Sequence, residues 1–134
     1  MPHVVIQYTP NLEPAVDVPA LCSEIAAALI AQRDEAGKQA YPTGGTRVLA
    51  YPATHFAVAD GLADCGFCYI NVRIAPGRSD AVKKATGDAL LVVAQARFAQ
   101  AFEEDYVGVT IQIDEPPGQV YDTKHSNLHP LFNK

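Results

Sequence analysis

From residue 65 the chain alternates strictly. Cys68, Ile70, Val72 and Ile74 fall on one side, and Tyr69, Asn71 and Arg73 on the other. That period of two predicts a strand with one buried face. Residues 107–113 repeat it, with Val107, Val109, Ile111 and Ile113 opposite Thr110 and Gln112. Between the two, over residues 80–104, the period becomes helical. Val82, Ala85, Ala89, Val92, Val93 and Ala96 share a predicted face, and Ser79 stands where an N-cap belongs. The segment "ALLVVA" is apolar all round, which predicts contact on more than one side.

The first half has the same order. Residues 3–8, "HVVIQY", are a β-rich run that reads as a strand buried on both faces. "TPNLEP" breaks it, and residues 17–38 then read as a helix. Asp17 is its N-cap, Pro19 lies in its first turn, and Gly37 is its stop. Leu21, Ile25 and Leu29 form its apolar stripe, flanked by Cys22, Ala26 and Ile30. After the loop "YPTGG", residues 46–53 predict a short strand that Pro52 ends.

The predicted fold is α+β: two β-α-β units forming one four-stranded mixed sheet with two helices on one face. The whole chain, 1–134, is expected to be a single domain with repeat halves of roughly 1–60 and 61–134. Two helices cover only one side of such a sheet. The other side would carry Tyr69, Arg73, Thr110 and Gln112, too mixed a set for an ordinary solvent face. An oligomer that packs sheets together is the natural explanation.

Composition narrows the setting. A chain of 134 residues with 49% hydrophobic content and a net charge of −5 is one acidic domain without the Lys/Arg clustering of a nucleic-acid binder. No stretch reaches the ~18 apolar residues of a membrane span. No basic segment followed by an apolar one opens the chain, so the expected setting is the cytoplasm. The three cysteines, Cys22, Cys65 and Cys68, are too few and odd in number for a disulfide framework. "CGFC" has redox spacing but runs into a strand rather than a helix, and no second pair has metal spacing.

Pro2 is either a strand-edge residue with nothing to donate or, if Met1 is removed, a secondary amine that can act as a base. Burial and a nearby cation would lower its pKa. Arg78 precedes a predicted helix N-terminus, itself an anion site. Arg47 opens the second strand, and Arg73 lies on the polar face of the third. Each is by itself an ordinary solvated arginine, yet arginine is the preferred bidentate partner of a carboxylate. His3, His55, His125 and His129 show no metal spacing and read as structural or surface residues.

Pro2, the two β-α-β units, "DVPAL", "ADG", "RIAPGRS" and the tail "NLHPLF" together resemble the 5-carboxymethyl-2-hydroxymuconate Δ-isomerase family of the tautomerase superfamily, over nearly the whole chain. The resemblance implies a homotrimer with sheets facing inward, and a cofactor-independent, metal-free isomerase. Its substrate would be a small anionic unsaturated 2-hydroxy or 2-oxo di- or tricarboxylate. Pro2 would shuttle the proton, and Arg47 and Arg78 would bind the acid. Arg73 is a possible auxiliary. Where the family pattern has a histidine after Arg47 this chain has "VLAY", so Tyr51 and His55 are candidates for that role, and its loss is the other outcome. Two alternatives stand beside this reading: a hydratase or dehalogenase of the same superfamily, with Glu115 positioning water, and a non-catalytic trimeric binding protein.

Overall fold

The computed structural model describes residues 1–132. Its elements are β1 (His3–Tyr8), α1 (Val18–Ile30), β2 (Arg47–Pro52), β3 (Cys65–Arg73), α2 (Asp80–Arg97), α3 (Ala99–Glu104), β4 (Tyr106–Asp114) and α4 (Leu128–Phe132). The sheet order is β2-β1-β3-β4. β1 runs parallel to β2, β3 runs parallel to β4, and the two pairs meet where β1 lies antiparallel to β3. Each parallel pair is bridged by its helical crossover, as parallel strands require. The two β-α-β units therefore share one mixed sheet.

The alternation seen in the sequence sets the faces. Val4, Ile6, Cys68, Ile70, Val72 and Ile74 are buried beneath the helices with Leu21, Ile25 and Leu29 of α1. Val107, Val109, Ile111 and Ile113 of β4 pack partly buried against the same core. β1 differs from expectation in having one buried face: Gln7 is exposed, and His3 and Val5 are half-buried. They belong to the outer face of the sheet.

Both predicted helices are revised. Asp17 caps α1 as expected, accepting the Ala20 N–H at 3.0 Å. The helix ends at Ile30, not near Gly37. Polar side chains end it: Gln32 Nε2 donates to Ala28 O, and the Asp34 carboxylate accepts the N–H groups of Ala36 and Lys38. Such local bonds compete with the helical ladder. Gly37, at φ +80°, closes the turn that follows.

The long helix is broken at Phe98, whose ring is buried and whose backbone lies at φ −96°, ψ 4°, outside the helical well. Its buried face is also rotated from expectation. Val82, Thr86, Leu90 and Ala94 point inward, while Ala85, Val92 and Ala96 are exposed. Helix amphipathicity missed Thr86 because a hydroxyl was counted as polar.

That hydroxyl is fully buried and fully used. Thr86 Oγ1 donates to Val82 O at 2.8 Å, so at its 2.8 Å contact with the Tyr41 hydroxyl it must accept. Tyr41 is equally buried. Thr86→Val is expected to destabilise the protein by about 1–3 kcal/mol in urea unfolding, because it orphans the Tyr41 hydroxyl. Adding Tyr41→Phe should recover much of that loss. Simple additivity of the two losses would show that the hydroxyls do not act as a pair.

Candidate functional site

Because β1 is an inner strand, the start of the chain is flanked on both sides. Cross-strand register builds the outer face in rows. The row nearest the chain start reads Arg47, His3, Arg73, Asp114 across the four strands. The next reads Leu49, Val5, Asn71, Gln112, and a third reads Tyr51, Gln7, Tyr69, Thr110. Charge is concentrated in the first row.

Met1, His3, Arg47 and Arg73 line a cleft of about 210 Å³ together with Gln119, Asp122 and Lys124 of the segment after β4. Two glycines help to bring the chain ends together here. A Cβ on Gly45 would collide with the Met1 side chain, and one on Gly44 would press on the backbone of Leu128 and His129. The "TGG" turn thus seats the start of the chain and the start of α4 side by side.

The amino group of the chain lies among these cations. Its pKa is lowered from 8.0 by burial first and then by Arg78; Lys124 and Arg47 also lower it, and Asp122 opposes them. Met1 is present in this structure, so the Pro2 nitrogen is an amide. Pro2 itself is buried.

Arg78 is held rigidly. Its Nε and Nη2 donate to Ala40 O at 3.0 and 2.8 Å, and Nη1 donates to Ala75 O at 3.1 Å. Its guanidinium carbon lies 4.6 Å from the centre of the Tyr41 ring, a cation–π contact. Three of the five guanidinium N–H groups are spent on position, and two remain for an anion. Tyr41 is in turn fixed by Thr86, so a chain of contacts reaches from the buried face of α2 to Arg78.

Pro2, Arg47, Arg73 and Arg78 converge on one end of the sheet. Tyr51 and His55 do not. Tyr51 is paired with Gln7, four residues further along the strands than the Arg47–His3 pair, and His55 lies exposed in the loop beyond β2. Within one chain neither lines the cleft. Glu115 does not face the cleft as a water-positioning group either; it is ion-paired with Lys83 of α2.

The thiols sit apart from this chemistry. Cys65 and Cys68, three apart in β3, point to opposite faces of the sheet. Burial, with a smaller contribution from Cys22, pushes the Cys68 thiol up to about 12. A larger cleft of about 350 Å³ between α2, α3 and β4 is lined by Leu91, Phe98, Phe102 and Val109 and holds no basic side chain. It is unsuited to an acid.

Sequence reasoning missed Tyr41, His3, Lys124 and Asp122. For His3 a signal existed: it is in phase with Gln7, on the side of β1 opposite Val4 and Ile6. For the residues after β4 there was none, since no periodicity places a loop.

A four-stranded mixed sheet built from paired β-α-β units is the fold of the tautomerase superfamily, and this chain has that fold. The model of the family 5-carboxymethyl-2-hydroxymuconate isomerase matches residues 2–132. A solved 5-carboxymethyl-2-hydroxymuconate delta-isomerase is 45% identical, with a TM-score of 0.93 over 100% of this chain and 94% of its own. A 5-carboxymethyl-2-hydroxymuconate isomerase from Deinococcus radiodurans R1 is 32% identical, with a TM-score of 0.87 over 99% and 95%. The 5-carboxymethyl-2-hydroxymuconate Delta-isomerase of Escherichia coli is 24% identical over 132 residues, covering 98% of this chain and 99% of its own. The chain belongs to the 5-carboxymethyl-2-hydroxymuconate isomerase family and is an isomerase. Among the described residues no helix is long and apolar enough to cross a membrane.

Proposed function

We propose that this isomerase moves a proton along an unsaturated 2-hydroxy or 2-oxo di- or tricarboxylate of the 5-carboxymethyl-2-hydroxymuconate type, without a cofactor, using Pro2 as base and acid. The observation that carries the reading is the cationic cleft at the start of β1. There burial, Arg78, Lys124 and Arg47 all disfavour a protonated amine. Removal of Met1 makes that amine the Pro2 nitrogen and vacates the slot beside Gly45.

The steps follow from these groups. Arg78 offers its two remaining N–H groups, and Arg47 its fork, to the carboxylates of the substrate. The neutral Pro2 amine takes the 2-hydroxyl proton of the dienol. The electron pair left on oxygen is delocalised as a dienolate, whose charge the guanidiniums stabilise as it develops. Pro2 returns the same proton to a carbon further along the conjugated chain, giving the unsaturated 2-oxo acid. Proton and charge balance with no other reactant. Arg73 and Lys124 lie in the same cleft and are suited to a further carboxylate.

We further propose a cytoplasmic homotrimer without nucleic-acid or membrane partners. Three unpaired cysteines suit a reducing compartment. The outer sheet face supports self-association: Leu49, Tyr51 and Phe67 are exposed on it between polar rows, and on α2 Leu91 and Val92 are exposed as well. Sedimentation at micromolar concentration should give three times the chain mass. A stable monomer would refute the assembly.

The catalytic reading is tested by turnover of 2-hydroxymuconate with Met-free protein. Pro2→Ala should lower kcat about a hundredfold with little change in KM, since the base acts in the transition state. Arg78→Ala should raise KM and lower kcat, each by about tenfold. Protein verified by mass spectrometry to keep Met1 should be inactive. If it turns over at the rate of the trimmed form, proline catalysis is wrong and Pro2 is a strand-edge residue.

A further inference from the structure

His3 sits in the middle of the charged row, with Arg47 opposite it on β2 and Arg73 opposite it on β3. Directly paired residues on one sheet face lie about 5 Å apart. His3 thus has an arginine as its register partner on each side. The Arg47 Nε–H donates to His3 Nδ1 at 2.9 Å. Among the described residues this is the only hydrogen bond of the Arg47 side chain, so both Nη groups stay available at the cleft that Arg47 lines.

We propose that His3 is the positioning residue of Arg47: its neutral Nδ1 holds the Nε–H and leaves the two Nη groups to grip a substrate carboxylate end-on. This rests on the reading of Arg47 as a substrate-binding residue. The geometry demands one protonation state. Nδ1 can accept only when it carries no proton, so the ring proton must be on Nε2. An imidazolium would lose the acceptor and set three cations in a row. The surroundings favour the neutral ring: burial first, then Arg47 and Arg73, hold the His3 pKa below its ordinary 6.5. The other titratable groups at the cleft are the chain amine, Lys124 and Asp122. Asp114 stands one strand beyond Arg73. The clamp is therefore intact at neutral pH and opens on acidification, when His3 charges and releases Arg47.

The test uses Met-free protein and 2-hydroxymuconate from about pH 5 to pH 8. His3→Ala should raise KM at pH 8 about tenfold with kcat within about twofold, because an anchor for binding is lost and Pro2 is untouched. His3→Asn places an amide oxygen near the position of Nδ1 and should bring KM back to within about threefold of wild type. The wild-type KM should rise relative to that of His3→Asn as pH falls through a value below 6.5, a comparison in which titration of the substrate cancels. Nitrogen NMR of the histidines should show His3 as the Nε2–H tautomer, and Arg47→Ala should shift its Nδ1 resonance. If Arg47→Ala raises KM and His3→Ala does not, the positioning role is wrong while the substrate reading stands. If neither variant moves KM, Arg47 is not a binding residue and the proposal falls with that reading. An Nδ1 resonance indifferent to Arg47→Ala also overturns it.

Discussion

The first strand of the chain is an inner strand, and everything at the candidate site depends on that placement. β1 pairs with β2 on one side and β3 on the other, so the chain must begin between two strands rather than at a free edge. The sheet then delivers Arg47 and Arg73 to either side of residue 3 by register alone. Hydrophobic burial drives this placement: Val4, Ile6 and Tyr8 enter the core on the opposite face of the same strand. A slip of one residue would turn those side chains outward, so the packing that stabilises the fold also aims the cations.

Charge makes the arrangement selective. The chain is acidic overall, at −5, and repels anions at a distance. Yet Arg47, Arg73, Arg78 and Lys124, four of its ten basic residues, act at the start of β1. An acid would therefore bind only where several cations are within reach together. The same cations disfavour protonation of the amine. Holding Arg78 by two carbonyls and an aromatic face fixes its direction before any ligand arrives, which reduces the ordering that binding would otherwise require.

The strands were legible because alternation is a direct record of which face is buried. The residues of β3 and β4 read in the sequence as facing one way do so in the structure. Pro2 and the arginine in "GRS" could be singled out by their own chemistry, but no single arginine distinguishes itself from a solvated one, and the roles proposed for them came with the resemblance. The helix ends were not legible where side chains compete with the ladder, as at Asp34, or where one buried ring interrupts it, as at Phe98. Tyr41 was invisible for a different reason. Its partners, Thr86 and Arg78, are 45 and 37 positions away in the sequence, and only the packed structure puts a phenol between them.

On the proposed reading, the fold lowers the pKa of the first atom of the trimmed chain, the Pro2 nitrogen, by burial and by nearby cations, so that it can serve as a base. The most direct measurement is a nitrogen NMR titration of Met-free protein labelled at Pro2, compared with the same protein unfolded in urea. Burial and Arg78 should hold the Pro2 pKa in the folded protein below that of the unfolded chain, and Arg78→Ala should raise it toward the unfolded value. A folded-state pKa equal to or above the unfolded one would contradict the claim.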